Sequence, residues 1–145
     1  MQKGFNMKHT LNTLFILFLF VTYSCKAQQM VQVPEDAMSL KKNEQQFLNK
    51  PLKNLLNQIK PEIKTGSLAN DFPSYFYFKF TTPVENYKTN IGQRVISLVV
   101  YVKEESIDWD SDKRFKTKYL WTTEDSEKYG NLTVIRIKVI DFVEE

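Results

Sequence analysis

The stretch RVISLVVYVKEE at 94–105 constrains this chain most tightly. Its run of Val, Ile and Leu is broken only at Ser97 before it reaches Tyr101. A half-exposed strand alternates apolar with polar residues, whereas a continuous β-branched run reads as a strand with both faces largely buried. Such a strand belongs in the middle of a sheet and needs partners on both sides. In SYFYFKFTT, Phe76, Phe78 and Phe80 alternate with Tyr75, Tyr77 and Lys79, which predicts a strand with its phenylalanines turned inward. LTVIRIKVIDFV predicts a final strand with Ile135, Ile137 and Val139 on one face. KRFKTKYLW predicts another, in which Phe115, Tyr119 and Trp121 share a parity.

Helical spacing appears in NEQQFLNKPLKNLLNQIKPEI, where Leu48, Leu52, Leu55, Leu56 and Ile59 fall on one helix face. A proline inside a helix removes a donor and clashes with the preceding turn. Pro51 is therefore expected at the first position of a helix running to about Lys60, with Pro61 as its stop. Asn43 to Leu48 forms a short preceding turn of helix, and Asn49-Lys50 the elbow. The polar face is not rich enough in Lys and Arg for a membrane-surface helix, so this element is expected to cover a sheet. In TTEDSEKYGNL, Thr122 or Thr123 can cap a short helix, Glu124 and Asp125 suit its positive end, and Gly130 suits a left-handed closing position. The element order predicts a single α+β domain over 43–145. It has an antiparallel sheet of about three to five strands and one amphipathic helix packed on one face.

Residues 1–24 have the build of a bacterial export signal: Lys3 and Lys8, then the apolar core LNTLFILFLFV, then small residues at Ser24 and Ala27. Leu11 to Tyr23 is 13 residues, short of the ~20 that span a bilayer. Met7-Lys8 is an alternative start to Met1. TYSC, with small Ser24 before the sole cysteine, resembles the lipobox of bacterial lipoproteins, and SCKAQ resembles those of Bacteroidota. Thr22 stands where leucine is usual, and Tyr23 is bulky. The resemblance implies lipid attachment at Cys25 and membrane anchoring without a spanning helix. With Lys26 next and no acidic residue before Glu35, it also implies an outer-membrane lipoprotein facing the periplasm. The alternative is ordinary cleavage after Ala27, giving a soluble secreted protein. Residues 25–42, with Pro34 and no periodicity, read as the lipid-attachment cysteine and a flexible tether.

Removal of the signal decides which chemistries remain. His9 is the only histidine and leaves with it, while Cys25 is lipidated or removed. Ser-His-Asp and Cys-His catalysis, histidine-based zinc sites and disulfides are thereby excluded from the mature chain. Taking Lys3 and Lys8 from the 20 basic residues leaves 18 against 17 acidic, a net charge of +1. That balance gives no general electrostatic footing for nucleic acid. Asp108, Asp110 and Asp112 match the opening of a calcium-binding loop. Lys113 then stands at the glycine position and Tyr119 at the bidentate glutamate, so a solvated acidic turn is expected and no metal site.

No catalytic residues and no cofactor are expected. The expected function is a non-enzymatic, membrane-anchored interaction or structural module of the cell envelope. An immunity-type lipoprotein that neutralises a periplasmic toxin is the narrower alternative. A hydrolase using Asp108, Asp110 or Glu104-Glu105 is the rival class, but carboxylates adjacent in sequence do not face each other across a cleft. The tyrosines of SYFYFKF cover an outer sheet face, or else form an aromatic platform for a ligand. Arg114, Lys116 and Lys118 alternate along one predicted strand, and Arg136 and Lys138 along another. If these strands are neighbours, the five cations form a patch for an acidic protein or anionic headgroups.

Overall fold

The computed structural model describes residues 28–82, 85 and 94–143. The expected export signal and Cys25 lie outside the described residues. The architecture is α+β: strands β1 (Thr65–Ala69), β2 (Tyr75–Lys79), β3 (Arg94–Val102) and β4 (Val134–Val143) form one antiparallel sheet in the order β1-β2-β3-β4. Short helices α1 (Met38–Lys42), α2 (Leu52–Leu56), α3 (Ser111–Lys116) and α4 (Thr123–Tyr129) accompany it, with 3₁₀ turns at Pro34–Ala37 and Glu44–Gln46. None of these helices is long and apolar enough to cross a membrane.

Register sorts the sheet into two faces. The first carries Leu68, Phe76, Phe78, Leu98, Val100, Ile137 and Val139, and the second carries Tyr75, Tyr77, Lys79, Val99, Tyr101, Arg136 and Lys138. The main apolar core lies on the first face, where Phe76, Phe78, Leu98, Val100 and Ile137 meet Val31, Leu40, Phe47, Leu52, Leu55 and Ile59. β3 is central and almost wholly buried, as its sequence requires. In β4 a register shift opposite Tyr101/Val102 makes Ile135 an extra residue. Val134 then pairs with Val102 and takes the inward place expected of Ile135.

Three expectations are corrected. First, the supposed tether is folded. Val31 is fully buried and pairs with Ile59, and Ala37 and Leu40 are fully buried as well. The Asp36 carboxylate accepts from the Gln32 and Val33 N–H groups and pins the entry to this segment. The folded unit therefore begins near Gln29 rather than at residue 43. Three apolar side chains among polar neighbours were enough to dock a segment that shows no periodicity.

Second, the long amphipathic helix is a series of short pieces, and only Leu52–Leu56 is α-helical within it. Asn49 has φ 59°, so the elbow forms where expected, and Pro51 caps the following helix with an extended ψ of 139°. Residues 49–52 pair with the start of β4 through Asn49 N–H to the Val134 carbonyl (2.8 Å) and Leu52 N–H to the Leu132 carbonyl (2.7 Å). A segment that covers a sheet edge cannot also be helical there.

Third, KRFKTKYLW is not a strand. The Asp110 carboxylate accepts from the Lys113 N–H at 2.9 Å and starts α3, so Arg114 and Lys116 lie on a helix. Lys118 and Tyr119 then take left-handed φ values of 53° and 57° and turn the chain back. Trp121 N–H reaches the Lys64 carbonyl, and Gly66 N–H reaches the Tyr119 carbonyl, which covers the outer edge of β1. The strand missing from the expectation is β1 itself, whose sequence TGSLA carries little β-propensity. Gly66 is needed there, since a Cβ would lie 2.5 Å from the Trp121 ring.

Candidate functional site

Of the acidic groups raised by the sequence, Glu104, Asp108 and Asp110 have local structural work. Both Glu104 oxygens accept from the Thr133 N–H, and one also accepts from its hydroxyl. Asp108 accepts from Lys128 at 2.7 Å, and that bond and charge hold its carboxyl below the ordinary range. Asp110 caps α3. Among the described residues no three carboxylates gather as a metal-binding cluster.

The five-cation patch does not form. Arg114 lies on the first-face side, its guanidinium 4.4 Å from the centre of the Trp109 ring, which packs edge-on against Phe76. Both guanidinium ends bond Asp125, one at 2.7 Å. Lys116 and Lys118 are exposed on α3 and the turn after it. Arg136 and Lys138 lie over the Tyr101 ring at 5.5 and 5.2 Å, on the second face. The sheet itself separates Arg114 from Arg136 and Lys138. Alternation within KRFKTK suggested a shared strand face, but a capped helix breaks the period of two.

What the structure brings together is the second face. Tyr75 and Tyr101 pair at 5.3 Å, Tyr77 stands beside them, and Lys79 lies 5.5 Å from the Tyr77 ring. Lys79, Arg136 and Lys138 each have an aromatic ring beneath the cation, and none is within ion-pair distance of a described carboxylate. The strand positions of this face include no Asp or Glu, because Asp141, the one acidic residue of the four strands, points to the other face and pairs with Arg94. Ile140 and Phe142 extend the face as exposed apolar residues. Val95, Ser97 and Val99 at its centre are buried but stand apart from the main core. Cations over tyrosine rings form a preorganised surface for negatively charged groups.

Two of these residues, Tyr101 and Lys79, were not singled out by the sequence. Tyr101 sits at the end of an apolar run, and only the register to Tyr75 and Arg136 places it at the centre of the face.

The chain matches no protein-family model, no curated protein and no solved structure.

Proposed function

We propose that this protein is a non-enzymatic, lipid-anchored module of the cell envelope, held at the outer membrane through Cys25, that docks an acidic protein on the second face of its sheet. The observation that carries this reading is the charge sorting of that face: Lys79, Arg136 and Lys138 stand among Tyr75, Tyr77 and Tyr101 with no strand carboxylate between them. In a mature chain with a net charge of only +1, such sorting provides local complementarity that overall charge does not. Tyrosines add contact area at small entropic cost and are favoured at protein interfaces.

The test is a binding titration with polyglutamate as the acidic probe. Wild type should bind it, with affinity falling as salt rises. Lys79→Glu/Arg136→Glu/Lys138→Glu should abolish binding while keeping its melting temperature, since all three cations lie outside the core. Equal binding by the triple variant refutes the reading.

A further inference from the structure

We propose that the groove on the helical side of the domain receives phospholipid headgroups of the anchoring membrane, so that the domain rests on its helical layer with the tyrosine face turned away from the bilayer. The proposal rests on the lipid-anchor reading of Cys25.

The first argument is chain length. Only Lys26, Ala27 and Gln28 separate Cys25 from Gln29. Gln29 is already tied to the fold, its side-chain amide donating to the Asn57 carbonyl at 2.9 Å. Val31 N–H bonds the Gln58 carbonyl, and Lys60 N–H bonds the Val31 carbonyl. Four extended residue steps span about 14 Å at most. A domain of this size has a radius of gyration of roughly 13 Å. The second sheet face lies across two layers, each about 10 Å thick. A tether this short keeps the corner around residues 29–31 and 57–60 at the headgroups and cannot bring the opposite face down to them.

The second argument is the chemistry found at that corner. A groove of about 580 Å³ opens there, lined by Gln28, Gln46, Lys50, Asn54, Asn57 and Gln58 over the apolar floor of Met30 and Phe47. None of its lining residues is a carboxylate. An ammonium and several carboxamides present many N–H donors, which is what phosphodiester oxygens require. The side chains of Lys50, Asn54, Asn57 and Gln58 bond to no other described residue. Headgroup phosphates are the anions that the tether length places within reach.

The anchored protein tests this directly. Lipid consumes the only native cysteine, so Asn54→Cys or Lys79→Cys supplies the single free thiol for a fluorophore. Each lipidated, labelled protein is placed on phosphatidylethanolamine–phosphatidylglycerol vesicles carrying headgroup nitroxides. The label at position 54 should be quenched several-fold more than the label at 79. Equal quenching, or stronger quenching at 79, overturns the proposal. As a second arm, non-lipidated Cys25→Ser protein carrying Lys79→Glu/Arg136→Glu/Lys138→Glu, which removes anion binding by the tyrosine face, should sediment with the same vesicles, and adding Lys50→Glu/Asn54→Asp should weaken this at least about tenfold. Unchanged sedimentation also overturns it. Mass spectrometry keeps the two readings apart. A native N-terminus at Gln28 without lipid refutes the anchor, whereas a lipidated protein with equal quenching refutes the groove alone.

Discussion

Removing the Asp125 carboxylate is the most informative single perturbation of this fold. Asp125 is 4% exposed. It accepts from Arg114 Nη1 at 2.7 Å, from the Thr122 N–H at 2.9 Å and from the Thr122 hydroxyl at 3.0 Å. The Thr122 hydroxyl in turn accepts from the Asp125 N–H, completing a capping box at the start of α4. Asp125→Ala thus leaves the guanidinium of a mostly buried Arg114 without its partner, and breaking a buried pair from one side costs about 3–5 kcal/mol. Typical domains are stable by roughly 5–15 kcal/mol, so this is a large fraction of the total. Arg114→Met/Asp125→Ala should recover most of the loss, because no charge is then stranded. It should stay short of wild type by the cap, worth about 1 kcal/mol. Urea unfolding of wild type, both single variants and the double variant gives the coupling from one cycle. A cost below about 1 kcal/mol for Asp125→Ala, with no coupling to Arg114, would refute the assignment of a working buried pair.

Other expectations follow from the same contacts. Burial raises the Asp125 carboxyl, but the Arg114 and Thr122 hydrogen bonds outweigh it, so its folded pKa lies below the ordinary value. The pair's stabilisation is therefore fully present above the unfolded pKa of about 3.9 and is lost as pH falls through the folded value; Asp125→Asn should flatten that acid limb in urea midpoints measured against pH. A chain truncated to start at residue 43 should fail to fold cooperatively, because it loses the fully buried Val31 and Leu40, each worth about 1.5–3 kcal/mol; a sharp, wild-type-like melt would overturn the corrected domain boundary. Gly66→Ala should cost about 1–3 kcal/mol by pushing the Trp121 ring off its seat, visible as a red-shifted tryptophan emission. Ser97 Oγ is buried with no hydrogen-bond partner among the described residues, so Ser97→Ala should be neutral or stabilising by up to about 1 kcal/mol in thermal denaturation.

Local sequence determined much of the sheet. The run at 95–100 is buried on both faces because five of its six residues are apolar and they fall on both sides of the strand. The alternation of Phe76 and Phe78 with Tyr75 and Tyr77 settled which ring points where, and the Thr122 cap with Asp125 started α4 as expected. Gly130 closes that helix for a different reason. Its φ is −61°, and a Cβ would meet the Ser126 carbonyl oxygen at 2.3 Å. Tertiary structure decided what lacked a period or depended on a distant partner. TGSLA became β1 because β2 supplies one edge and residues 119–121 the other, while 29–42 folded because Val31, Ala37 and Leu40 found the core. The cations were sorted by the same rule. A period of two in KRFKTK holds only on a strand, and the Asp110 cap made that segment a helix. Arg114 thus went to Asp125 on one side of the sheet, and antiparallel register left Arg136 and Lys138 with Tyr101 on the other. Spacing along a chain fixes which neighbours share a face only once the element is known; which cations meet across strands is fixed by register, and register depends on the whole sheet.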